Sequence, residues 1–149
     1  MINSVSIALN ISISCLAFED SINNYYYVYK RNPSTKNGLF FLLEHTSAFA
    51  SASNCYSNSF KLGDPLSRAA ELICKVSLTG LNIFHLMKKW DREQAVPALG
   101  NALCAARVFY EMSKSLAPSN VFHYDLCWQS LAILEIASRI LLISIRKTH

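Results

Sequence analysis

Charge is what this sequence has least of. Asp, Glu, Lys and Arg together make up 16% of the 149 residues, against about 25% in an ordinary soluble domain. Disorder is excluded, because a disordered chain combines few apolar side chains with high net charge, and here 52% of residues are hydrophobic. Glycine is scarce too. Four glycines in the whole chain leave little from which to build a backbone cradle for phosphate. The five cysteines, Cys15, Cys55, Cys74, Cys104 and Cys127, are odd in number and far apart, with no CxxC. That excludes a disulfide framework and a zinc site and reads as buried, reduced thiols.

Basic runs are missing as well. The net charge is +4, but the cations gather only in pairs, at Lys30-Arg31, Lys88-Lys89 and Arg146-Lys147. No nucleic-acid partner is expected from so thin a spread. The four histidines, His45, His85, His123 and His149, show no paired-ligand spacing, and HExxH, GxSxG and calcium-loop patterns do not occur. The reading is therefore no catalytic residues, no metal and no cofactor. Two loose groups remain, His123 with Cys127 and Glu44 with His45; packing and an exposed helix edge are the readings for them. A small helical enzyme or ligand-binding bundle would need His85, Cys104, His123 and Cys127 to converge.

What is present is helical periodicity. From Asp125 to Lys147, Leu126, Ile133, Ile136, Ala137, Ile140, Leu141 and Ile145 recur at helical spacing, and Leu131, Leu134, Leu142 and Ile143 widen the stripe. So wide an arc predicts a helix packed on most sides by those before it, with Glu135 and Arg139 pairing four apart on the remaining polar face. No transmembrane span is read here: Leu131 to Ile145 is short of the about twenty residues needed and contains both charges. No secretory signal peptide is read in residues 1–18, which lack a basic start.

Upstream, Asp64 and Pro65 read as an N-cap and first helical position after Gly63. The following helix carries an apolar line, Ala69, Ile73, Val76, Gly80, Phe84 and Met87, for packing. Arg68, Glu71, Lys75, Asn82 and Lys89 form the opposite line, with Glu71 four residues before Lys75, the favourable order for a pair. Gly80 is read as a point of close helix approach. Pro97 should kink a helix that begins near Asp91, or sit in the first turn of one whose regular part begins near Val96. Arg107 and Glu111 pair four apart, and Ala117 to Asn120 closes that helix. Leu39 to Ser57 forms another, fraying towards its end.

The N-terminal stretch differs. Val5, Ile7, Leu9, Ile11 and Ile13 alternate with polar or small residues, a period of two, and Tyr25, Tyr26, Tyr27 and Tyr29 have strong strand propensity. Together they predict a β-hairpin. The expected fold is mainly α: an antiparallel three- to four-helix bundle with an N-terminal β-hairpin. Its divisions are an extended segment at 1–30, a linker at 31–38 and a helical domain at 39–149. The four tyrosines, Tyr25, Tyr26, Tyr27 and Tyr29, are the candidate interaction surface.

One resemblance rests on particular residues. Ala69-Ala70-Glu71-Leu72, then Ala98-Leu99-Gly100-Asn101-Ala102, then Phe109 to Lys114 resemble the N-terminal part of chlamydial inclusion-membrane proteins, over about fifty residues. The resemblance implies a bacterial secreted protein facing the host cell. This sequence lacks the two-lobed hydrophobic hairpin typical of that group. The expected function is a non-enzymatic helical interaction protein, docking a protein partner or itself. The alternatives are a peripheral or integral membrane protein and the small enzyme or ligand-binding bundle above. Cytoplasmic, membrane-associated and secreted locations all remain open.

Overall fold

The computed structural model describes residues 4–59, 64–90, 92–116 and 121–147. Five long α-helices follow one another: α1 (Ser4–Asn23), α2 (Thr35–Ser59), α3 (Pro65–Lys88), α4 (Arg92–Leu116) and α5 (Val121–Lys147). A π-helical turn, Asn24–Tyr29, extends α1. Each helix packs on its chain neighbours, and α5 also packs on α1. The bundle is therefore a closed ring of five.

Cross-helix pairs give the directions. Ser14 meets Ser51 while Ser21 meets His45; Arg107 meets Glu135 while Lys114 meets Asp125. As one number rises its partner's falls, so consecutive helices are antiparallel. Helix α3 starts as its sequence suggests. The Asp64 carboxylate accepts hydrogen bonds from the backbone N–H of Leu66 (3.1 Å) and Ser67 (3.3 Å), with Pro65 at the first helical position.

The N-terminal hairpin is not formed. Among the described residues there is no strand, and Val5 to Ile13 lies on α1. The alternation lost to a second pattern in the same residues. Ile13, Ala17, Asp20, Ser21 and Asn24 share one helical face, and all are buried. That face packs on α2 and α5, and such tertiary contacts override strand propensity. Helix α2 begins at Thr35, inside the stretch read as a linker.

Two helix-face expectations are inverted. On α3, Ile73, Val76, Phe84 and Met87 point outwards, 53% to 82% exposed, while Glu71, Lys75 and Asn82 are buried. On α5, Leu126, Ile133, Leu134, Ile140 and Leu141 are all more than half exposed, and Glu135 and Arg139 are buried. Its neighbours therefore do not enclose that helix. The hydrophobic arc was found correctly, but it faces away from the other helices because the charged residues take the inner positions. Gly80 is exposed, and a Cβ there meets nothing within 4 Å. The close approach is at Gly100 instead, where a Cβ stands 2.9 Å from Ser138 Oγ. Pro97 lies inside α4, without the N–H that would bond the carbonyl four residues earlier. Ala117 to Asn120 and Gly63 lie outside the described residues.

Candidate functional site: a charged interior

Helical spacing brings the inner residues together. On α4, Asn101, Cys104, Arg107 and Glu111 follow one face, and on α5 so do Trp128, Glu135, Ser138, Arg139 and Leu142. Arg107 is the hub. Its Nε donates to Glu135 Oε2 (2.8 Å), Nη1 to Glu111 Oε1 (2.9 Å) and Nη2 to Glu71 Oε1 (3.0 Å). Its side chain is 2% exposed, and those of Glu71 and Glu135 are fully buried. One guanidinium thus ties α3, α4 and α5 through its fork of donors.

Two further cations carry the network around the ring. Arg139 donates to Glu135 Oε1 through Nε (3.1 Å) and Nη2 (2.9 Å), and to Asp20 Oδ2 through Nη1 (2.6 Å). That joins α5 to α1. Lys75 Nζ donates to Glu44 Oε2 (2.9 Å) and Asn101 Oδ1 (3.0 Å), joining α2, α3 and α4. Asn54 Nδ2 donates to Glu71 Oε2 (2.5 Å), and Trp128 Nε1 to Glu111 Oε1. All five helices therefore contribute a charged side chain to one interior. A buried ion is tolerable only when paired and hydrogen-bonded, and these are.

Sequence reading found some of these pairs but misplaced them. Glu135 with Arg139 and Arg107 with Glu111 do pair, in the interior rather than on a wet face. Glu71 pairs Arg107 rather than Lys75, which reaches Glu44. Glu44 and His45 are half-buried rather than an exposed edge; His45 Nδ1 lies 2.8 Å from Ser21 Oγ. Asp20, read with Glu19 and Ser21 as turn chemistry of the hairpin, lies instead on α1 and is buried. The available signal was an acid spaced three residues from Ala17 and four from Asn24, small or polar positions on the same helical face.

A cavity of about 20 Å³ adjoins the network, lined by Asp20, Glu44, Pro97, Gly100, Ser138 and Arg139 among others. It has room for a single water molecule. Of the four residues an enzyme pocket would need, the three whose side chains are described do not meet. Cys104 is buried against Glu71 (3.4 Å), Cys127 is exposed near the start of α5, and His85 is half-buried in the last turn of α3. The His123 side chain lies outside the described residues. Among the described residues no group of three or more His, Cys, Asp or Glu could hold a metal ion.

Outside the interior the chemistry changes. The exposed charges among the described residues are Lys30, Arg31, Lys36, Lys88, Lys89, Lys114 and Asp125, all at or near helix ends. Outward Ser12, Ser130 and Ser144 turn their hydroxyls back onto the carbonyls four residues earlier, at 2.9 Å each. The four candidate tyrosines sit at the turn after α1. Tyr25, Tyr26 and Tyr27 are exposed, whereas Tyr29 is half-buried and stacks on Phe41 at 6.0 Å. Lys30 lies over the Tyr26 ring and Arg31 over Tyr27, at 5.3 and 5.1 Å. At the opposite end, Asp64 also accepts from the Ser67 and Ser53 hydroxyls. The Ser67 hydroxyl, more than any other group, holds the Asp64 carboxyl below its usual range.

Comparison with protein families, with characterised proteins and with solved structures finds no match to this chain.

Proposed function

We propose that this chain is an integral membrane protein. Its five helices cross the bilayer as one non-enzymatic bundle that offers its outside to lipid and partner helices. The carrying observation is the inversion of polarity: charges inside, large apolar side chains outside. That outside runs right round the ring, through Val5 and Ile11 on α1, Leu42 and Phe49 on α2, Ile73 and Val76 on α3, Leu99 and Phe109 on α4, and Ile133 and Ile140 on α5. Docking one partner would cover one side. An apolar belt on all sides suits a surrounding solvent of hydrocarbon.

Four features support the same reading. The helices hold 24 to 27 residues, counting α1 with its π-turn, or roughly 36–41 Å at the α-helical rise. A bilayer needs about 30 Å of that for its hydrocarbon and 40–45 Å with headgroups. Two stretches, Ser4–Tyr29 and Asp125–Arg146, are long and apolar enough to cross, and only 22% and 28% of their most apolar windows are buried. The central helix of a soluble protein would be mostly buried. Tyr25, Tyr26, Tyr27, Tyr29 and Trp90 lie at one end, and Tyr56, Tyr110 and Trp128 towards the other, as aromatic belts do. The back-bonds of Ser12, Ser130 and Ser144 satisfy those outward hydroxyl protons without water.

The exposed cations favour one orientation. Lys30, Arg31, Lys36, Lys88 and Lys89 share one end, which the positive-inside rule assigns to the cytoplasm. The interior carboxylates are held by guanidinium and ammonium groups, an arrangement suited to joining helices rather than to moving protons. The test is extraction of native membranes with carbonate, followed by cysteine labelling. The protein is expected to stay in the pellet. Cys15, exposed at mid-length of α1, is expected to resist a water-soluble maleimide and react with a lipid-soluble one. Release by carbonate together with rapid aqueous labelling of Cys15 removes the reading. A single defined oligomer in detergent-free buffer would then favour self-association of the apolar faces.

A further inference from the structure

The cavity beside the charged interior faces an atom that the network leaves over. Asp20 sits on α1 and is 6% exposed. Its Oδ2 accepts from Arg139 Nη1 at 2.6 Å. Its Oδ1 is buried as well and has no hydrogen-bond partner within the protein. A buried polar atom left in that state carries a desolvation cost that a partner removes. Asp20 lines the cavity of about 20 Å³ together with Glu44, Asn101, Ser138 and Arg139. Helix α4 makes the room. Gly100 has no side chain to fill it, and a Cβ there would stand 2.9 Å from Ser138 Oγ.

Charge and size decide what the cavity takes. The two carboxylates on its wall already have cations of their own: Arg139 holds Asp20 at 2.6 Å, and Lys75 Nζ holds Glu44 at 2.9 Å. A further cation would meet that guanidinium and ammonium at close range, and an anion would meet the unpartnered oxygen of Asp20. The occupant is therefore neutral, and it must donate to Asp20 Oδ1. Ser138 has spent its hydroxyl proton on the Glu135 carbonyl at 2.7 Å, so it offers only lone pairs. Asn101 Oδ1 is taken by Lys75 at 3.0 Å, which leaves its amide N–H groups to give. A volume of about 20 Å³ holds one water molecule and nothing larger.

We propose that this cavity is a binding site for one long-lived water molecule, which donates to Asp20 Oδ1 and accepts from the Asn101 side-chain amide. Its second hydrogen turns to the Glu44 carboxylate, a stronger acceptor than the Ser138 hydroxyl. Helices α1 and α4 do not pack on each other, so the water is the bridge between them across the ring. The site needs nothing of what surrounds the bundle, and it stands or falls apart from the membrane reading.

The experiment is water-selective nuclear Overhauser spectroscopy on the full chain in detergent, with its asparagines labelled with heavy nitrogen. The Asn101 side-chain amide is assigned from the signal lost in Asn101→Asp. It is expected to show a cross-peak to water with the sign of a long-lived contact. Ser138→Ala should keep that peak, which excludes relay through the serine hydroxyl. Val96→Leu, which adds a methylene at the cavity wall, should lose it, and so should Gly100→Ala. Parent-like positions of the remaining asparagine signals show that a variant is folded. No peak in the parent, its loss in Ser138→Ala, or its survival in a folded Val96→Leu or Gly100→Ala overturns the proposal. Two rival occupants are tested on the same protein. A thermal midpoint raised by sodium chloride, but not by choline chloride at equal concentration, would make this a cation site. In infrared difference spectra near neutral pH, Asp20→Asn should remove a carboxylate band. Removal of a carboxylic-acid band instead would put a proton where the water is assigned. Either of these two results overturns the proposal as well.

Discussion

The two faces of α3 make the most instructive contrast in this molecule. One face carries Glu71, Lys75 and Asn82, and the other Ile73, Val76, Phe84 and Met87. In a bundle surrounded by water the second set turns inwards. Here the first set does, and each buried ion finds partners on other helices. The lesson concerns the solvent. A polar interior is stable only if leaving it would be worse, and under the membrane proposal hydrocarbon around the bundle would meet that condition. The outward face then needs only to be apolar, so its residues are large and irregular rather than complementary.

Removing the hub breaks the inner face first. Arg107→Ala leaves Glu71, Glu111 and Glu135 without their shared cation. Stripping one partner from a buried pair costs about 3–5 kcal/mol, the largest effect expected here. Chemical unfolding in detergent micelles should show it as loss of the cooperative transition. A variant as stable as the parent would mean that the inner charges are solvated rather than held.

The outer face is probed by Ile140→Arg, which puts a cation on the exposed side of α5. A charge near a helix centre in the bilayer costs about 2.5–3.5 kcal/mol, whereas the same change on a wet surface usually stays within about 0.5 kcal/mol. The yield of carbonate-resistant protein reports the difference. A sharp drop is expected for Ile140→Arg, and little change for Asp125→Lys at the helix end. Equal yields would dissolve the contrast between the faces.

A smaller effect tests where the helices touch. A Cβ at Gly100 stands 2.9 Å from Ser138 Oγ, so Gly100→Ala must displace that hydroxyl from its bond to the Glu135 carbonyl or move α4 off α5. Overpacking of this kind costs about 1–3 kcal/mol. Adding Ser138→Ala should return part of the loss in the same unfolding assay, because the clashing hydroxyl is gone. Gly80→Ala, where a Cβ meets open space, should not destabilise at all.

These glycines show how far the sequence could be read. Periodicity located the apolar line of α3 and the stripe of α5, because spacing is a local property. It could not say which way each line faces, because that depends on what surrounds the bundle. For the same reason Glu135 and Arg139 could be paired from their spacing yet not placed inside. Gly80 and Gly100 look alike in the chain, and only the partner helix separates them. The N-terminal alternation misled because isoleucine and serine at period two also leave Ile13, Ala17, Asp20 and Asn24 on one helical face. The Asp20–Arg139 bond joins residues 119 apart in the chain, and no local pattern carries such a contact. What was fully local, the Asp64 cap with Pro65 after it, was legible outright.

That cap gives the mildest test. Asp64 accepts from two backbone N–H groups and from the hydroxyls of Ser67 and Ser53, which favour its charged form. Its folded carboxyl is therefore more acidic than the unfolded one, whose ordinary value is about 3.9. The sign follows by linkage: the stabilisation is fully present above the unfolded value and is lost as pH falls through the lower folded value. Asp64→Asn keeps a capping oxygen but removes this charge. The gap in thermal midpoint between parent and variant should be small near neutrality and should close as the pH drops below about 4. The membrane proposal puts this site at a wet end, so the gap should be the same in detergent and in bilayer discs. A gap that widens on acidification would mean that the Ser67 and backbone donors do not favour the carboxylate.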